Sequence, residues 1–185
     1  MIYIYIGIAF LMLLISFIVI FNKFIRLRNL VKEAWSLIDV QLKMRYEVIP
    51  NLVNTVKAYT KHEQQILRDV TALRAKAMEK QVPSEKAVSE NVLTEKLAQL
   101  MVTIENYPEL KADQHFLKLQ DQIFDIEDKI QLARRYYNGS VRNYNIAIES
   151  FPSSIVAALI NFKKYDFFEL DSIEERKNLE ISFEE

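Results

Sequence analysis

Two stretches of this chain place residues capable of chemistry at regular spacing inside apolar segments. In the first, Gln41 and Arg45 lie four apart, on or beside the face used by Ile38, Ile49 and Leu52, with Asp39 close by. Asn51 and Asn54 flank Pro50 just beyond. In the second, Arg134, Arg135, Asn138, Asn143 and Asn145 crowd one end of an apolar stripe, together with Tyr136, Tyr137 and Tyr144. The pairs Tyr137-Asn138 and Tyr144-Asn145 are seven apart, so they recur on one helix face after two turns. Such residues suit two roles. They can form a polar network that fixes helix register, with Arg45 or Arg135 paired to Asp39 or Glu127. They can also form a partner face or groove, since Tyr and Arg are common anchors of binding surfaces.

Other chemistry finds little support. His62-Glu63 begins like a zinc-protease helix, but Ile66 occupies the place of the second ligand. His115 is the other histidine, and neither has an acidic residue three before it, as a di-iron bundle needs. There is no phosphate-cradling glycine loop and no G-x-S-x-G. With no cysteines, thiol catalysis, zinc knuckles and disulfides are excluded. The reading is therefore non-enzymatic, with no catalytic residue, cofactor or metal. A net charge of −1 gives no support for bulk nucleic-acid binding.

The elements that hold these residues are helices. A chain of 185 residues with Gly 2 and Pro 4 lacks the breakers a sheet-rich domain needs. Residues 1–21 carry no charged side chain, and Lys23, Arg26, Arg28 and Lys32 follow. About 20 apolar residues make a helix of roughly 30 Å, the thickness of a hydrocarbon core. No basic n-region and no small-residue cleavage site is present, so this is an uncleaved anchor and the bilayer is its first partner. The one-sided basic cluster predicts the N-terminus outside and the remainder cytoplasmic. Tyr3 and Tyr5 would mark the outer interface, Phe21 and Phe24 the inner one.

The apolar rhythm leaves the anchor through Leu27, Val31, Ala34, Ile38 and Leu42 without a breaker, and resumes after Pro50 as far as Ala77. It predicts a continuous helix kinked at Pro50, with a clean break at Ile49 as the alternative. Residues 81–89 read as a connection, with Ser84 as a cap. A second helix follows over about 88–106, with Val92, Leu93, Leu97, Leu100, Met101 and Ile104 inward. Asp113 caps a third, whose stripe from Phe116 to Ala147 alternates three and four and runs through Gly139. A short helix covers 153–161. The segment 162–168 packs its aromatics onto the bundle or lies on the membrane. Residues 169–185 are acidic and lack a stripe, which predicts a flexible tail. The expected fold is all-α: an antiparallel up-and-down bundle of about four helices over 23–168, preceded by one transmembrane helix over 1–22.

Three blocks together resemble the LemA family of bacteria. They are Asn29-Leu30-Val31 with the run from Glu33 to Lys43, Arg45, Ile49-Pro50-Asn51-Leu52-Val53, Val56-Lys57, Tyr59 and His62-Glu63; the run from Glu105 to Ala112 with Phe116 and Leu119-Gln120; and Arg134 to Asn138, Val141, Tyr144-Asn145 and Phe151-Pro152. The resemblance covers about 22–168. Two family glycines are replaced, by Ala58 and by Asn161. The resemblance implies a single-pass protein of the inner membrane of a bacterium, with a helical bundle and no established enzymatic activity. Members are often encoded beside membrane zinc metallopeptidases or other envelope proteins, which implies such a partner. The combined expectation is a membrane-anchored scaffold or adaptor. A peptide- or lipid-headgroup-binding module at the Tyr/Asn/Arg end of the third helix is the alternative. Oligomeric state is not legible.

Overall fold

The computed structural model describes residues 1–168 and contains six helices among them: α1 (Ile2–Tyr59), α2 (Gln64–Glu79), α3 (Pro83–Ile104), α4 (Pro108–Lys111), α5 (Gln114–Glu149) and α6 (Ser153–Ile160). The fold is the all-α bundle expected, and the stretch read as a tail lies outside the described residues. The chain divides into two compact units, and α1 and α5 contribute to both.

The first unit joins Met1–Arg45 to Gln122–Phe167. Residues 1–19 are all exposed, and α1 is the one described helix long and apolar enough to cross a membrane. Past the span, Phe24, Val31, Ala34, Ile38 and Leu42 are buried at helical spacing. Ile126, Ile130, Ala133, Tyr137, Val141, Tyr144 and Ala147 answer them from α5. Phe24 shares a cluster with Ala147, Trp35 lies 5.5 Å from Tyr137, and Arg45 meets Glu127. The order reverses along α5, so the pair is antiparallel.

The second unit is built on Tyr46–Asp121. Its core takes Ile49, Leu52 and Val56 from α1, Leu67, Val70 and Ala77 from α2, and Leu93, Leu97, Leu100 and Ile104 from α3. Here α1 passes Pro50 without ending. The proline frees the carbonyl four residues back, at Tyr46, and the Arg74 Nε of α2 donates to it at 2.7 Å. A single guanidinium thus repairs the defect that a break would otherwise relieve. Arg74→Met leaves that carbonyl without its donor and should cost about 1–3 kcal/mol in chemical denaturation of the full chain in detergent. A variant as stable as the parent would show that water serves the carbonyl equally well.

Two boundaries differ from the expectation. Helix α1 stops at Tyr59, although the apolar phase continues to Ala77. The stop is made by tertiary bonds: the Tyr59 hydroxyl donates to Asp113 at 2.9 Å, and Tyr107 donates to Glu63 at 2.9 Å. Helix α3 starts at Pro83, not at Ser84 or Val88, because a proline suits the first turn, where its missing N–H has no role. Val92, expected inward, is exposed, while Lys86, Ser89 and Glu90 are buried in the early turns. The single turn α4 was not foreseen.

Other expectations hold. Asp113 Oδ1 accepts the Phe116 N–H at 2.8 Å and caps α5. That bond, and then the Tyr59 hydroxyl, hold its carboxyl below the usual range. Helix α5 runs through Gly139. Asn161 closes α6 at φ 58°, the left-handed region that asparagine tolerates best after glycine, where the resemblance leads one to expect glycine. Phe162 N–H then donates to Ala157 at 3.0 Å and Asn161 N–H to Ala158 at 3.3 Å, a Schellman closure that turns Phe162 back onto α6.

Candidate functional site

The first unit holds most of the polar residues singled out above, and their arrangement is layered. Arg45 is fully buried, and its Nη1 donates to Glu127 Oε2 at 2.7 Å. Glu127 also accepts a weaker bond from Gln131 Nε2 at 3.5 Å. This is one of the anticipated pairings. Asp39 instead faces Lys43, at 3.1 Å on the same helix. Gln41 is half-buried, and its Oε1 has no hydrogen-bond partner among the described residues. Arg135 is exposed, Asn138 half-buried, and Asn51 exposed in the second unit.

Tyr137, Tyr144 and Asn145 act together on residues 162–168. Asn145 Nδ2 donates to the Tyr165 carbonyl at 2.9 Å, and the Tyr165 N–H donates back to Asn145 Oδ1 at 3.0 Å. One amide thereby supplies both halves of a backbone pairing to a segment with no neighbouring strand. The Tyr137 hydroxyl donates to the Asp166 carbonyl at 3.0 Å. The Tyr144 ring stands edge-on to Tyr165 at 5.1 Å. Phe162 packs on Phe24 at 5.2 Å. Phe24, read from sequence as an interfacial aromatic, is therefore fully covered by protein. The segment is a strap laid over α1 and α5 with its aromatics inward.

Burial pushes the Tyr137 phenol up to about 12, and the Asp166 charge adds to it. Burial raises Tyr144 as well, against a smaller opposing effect of Arg28. The native state thus favours the neutral phenol of Tyr137. Its contribution is complete below the unfolded value of 10.0 and is lost as pH rises from there toward 12. The chain should lose stability over that interval, and Tyr137→Phe should flatten the loss. Melting curves at stepped alkaline pH test this; parallel curves for parent and variant would contradict it.

Two exposed concavities accompany this framework. One, of about 300 Å³, is lined by Leu37 and Gln41 of α1 and Lys129, Leu132, Ala133 and Tyr136 of α5. The other, of about 510 Å³, lies between α1 and the strap near Phe21, Arg28 and Tyr144. Among the described residues no group of three His, Asp or Glu could hold a metal ion. Sequence reasoning missed the buried pair in the second unit, where the Tyr46 hydroxyl donates to Glu90. Its signal was present: Lys86, Glu90, Leu93, Leu97, Leu100 and Ile104 keep one alternating phase, so two charges occupy core positions.

The model of the LemA family matches residues 34–183. The chain is 27% identical to Protein LemA of Metamycoplasma hominis over 83% of its own length and 70% of that protein. It is 31% identical to Magnetosome protein MamQ of Magnetospirillum gryphiswaldense, over 39% of this chain and 26% of that one. Magnetosome protein MamQ 2 of Paramagnetospirillum magneticum matches at 29% over 40% and 27% of the two chains.

Proposed function

This chain belongs to the LemA family, and on that premise we propose that it is a scaffold whose anchor orients a helical bundle to receive other membrane or envelope proteins. The observation that carries this reading is the continuity of α1. One helix leaves the apolar span and becomes the spine of the first unit, with Phe24 locked under Phe162 where the span ends. From Ile2 to Arg45 it extends roughly 65 Å at about 1.5 Å per residue. Lys23, Arg26, Arg28 and Lys32 support a cytoplasmic bundle by the positive-inside bias.

The polar residues support the scaffold over a binding module built from them. Tyr137, Tyr144 and Asn145 are engaged in holding the strap, and Arg45 is engaged with Glu127. The partner face is the groove at Leu37, Leu132 and Tyr136, where three exposed apolar side chains stand with Lys129 in the lining. A membrane zinc metallopeptidase is the first partner to test, in keeping with the resemblance.

Inserting Gly-Gly-Ser between Lys23 and Phe24 uncouples the helix while keeping the span. The variant should remain in the membrane fraction and lose the membrane protein that co-purifies with the parent. Undiminished co-purification would reject rigid coupling.

A further inference from the structure

Helix α6 has two apolar sides and only one is covered. Val156 and Ala157 are buried against Phe24 and Ala147, with Ile20, Leu27, Ile148 and Phe162 around them. On the other side Ile155 is 55% and Leu159 74% exposed, and Phe151, just before the helix, is 82% exposed. Ile155 and Leu159 are four apart and form a stripe on one face of α6, and Phe151 is exposed just before the helix. The helix itself, Ser-Ser-Ile-Val-Ala-Ala-Leu-Ile, carries no charge. Left in water, that stripe is an apolar patch without a purpose.

Its position supplies the purpose. The cluster beneath α6 includes Ile20, from the end of the uncharged run, and Phe24 one turn later. Helix α6 therefore stands beside α1 where α1 emerges from the hydrocarbon. Around the same point a groove of about 510 Å³ is lined by Phe21, Ile25, Arg28, Phe162, Lys163 and Lys164. Lys164 is paired with Glu149, so among the described residues Arg28 and Lys163 are the groove's cations for meeting an anion. An apolar stripe bordered by cations is the composition of a segment that lies in the headgroup region.

We propose that α6 is a second membrane contact: Phe151, Ile155 and Leu159 enter the boundary between headgroups and acyl chains, and Arg28 and Lys163 hold the phosphate of an anionic phospholipid. The inference rests on the reading that the uncharged start of α1 crosses the bilayer. So short a helix would not recruit a soluble protein. Tethered beside the span, its binding is intramolecular and needs little affinity.

The chain has no cysteine, so single reporters can be placed at will. Full-length Leu159→Cys, Leu132→Cys and Leu13→Cys each receive an environment-sensitive fluorophore and are reconstituted in phosphatidylcholine nanodiscs with added phosphatidylglycerol. A lipid-borne nitroxide should quench the Leu159 and Leu13 labels, and iodide should quench only the Leu132 label. Moving the nitroxide to phosphatidylglycerol should strengthen quenching at Leu159, and Arg28→Gln and Lys163→Gln should each weaken that preference about fivefold. An iodide-accessible Leu159 label beside a lipid-quenched Leu13 label would overturn the proposal. No preference between the two lipids would overturn the headgroup assignment. A Leu13 label that iodide reaches would instead overturn the membrane span itself.

Discussion

Glu127→Leu lowers the stability of the chain by about 3–5 kcal/mol, and the lower part of that interval is expected because water still reaches part of the carboxylate. The Arg45 side chain is 0% exposed and Glu127 22%. Removing the acid leaves a guanidinium in the helix interface with its 2.7 Å charge-assisted bond to Glu127 gone. A surface pair would give about a third of this effect at most. The reverse change is milder: Arg45→Met removes the charge that needs a partner, and the double variant Arg45→Met/Glu127→Leu should recover most of the loss. A denaturant-based double-mutant cycle reads the coupling directly. Additive single effects would mean that the two residues do not depend on each other.

Phe24→Ala should cost about 3–5 kcal/mol locally, the usual loss for a buried phenylalanine. Phe24 is 0% exposed and touches the Phe162 ring and the buried face of α6. The cavity opens at the one place where α1, α6 and the strap converge, so the effect should be concentrated there. Hydrogen exchange at Ala157 and Phe162 should accelerate strongly while amides of the second unit keep their protection. Phe24→Leu should lose roughly a third as much, by retaining most of the volume. Uniform loss of protection across both units would contradict the local lock and point to a single cooperative core.

How much of this was readable before folding depends on whether the signal was local. The α5 stripe was legible because its mostly apolar positions alternate three and four apart from Phe116 to Ala147, about nine turns, and a 3-4 rhythm admits one face. The Asp113 cap was legible because it acts within a few residues. The end of α1 at Tyr59 was not. No glycine or proline marks it, the apolar phase continues, and the bonds that make it come from Asp113 and Tyr107, some fifty residues away in sequence. The continuity of α1 through Pro50 was expected, but the Arg74 bond to the Tyr46 carbonyl that supports it was not legible. In α3, apolar counting began too late because three of the first buried positions, Lys86, Ala87, Ser89 and Glu90, are polar or charged.

The candidate residues divide along the same line. Arg45 with Glu127 was one of the pairings anticipated, since Arg45 sits in phase with the apolar stripe of α1. The bonds of Tyr137 and Asn145 to Asp166 and Tyr165 were not, since their partners are backbone carbonyls of a strap with no regular pattern. Once those bonds are seen, the tyrosine–asparagine repeat is explained as a device that fastens the strap, and with it Phe162, over the exit of the membrane span.

The measurement that addresses the scaffold most directly is site-specific photocrosslinking in living cells from a photoreactive residue at Leu132, which is 61% exposed on the groove rim. The account predicts one dominant membrane-protein adduct, abolished by Leu37→Glu across the groove and by the Gly-Gly-Ser insertion after Lys23. A folded, membrane-inserted protein that yields no protein adduct at Leu132 would contradict it.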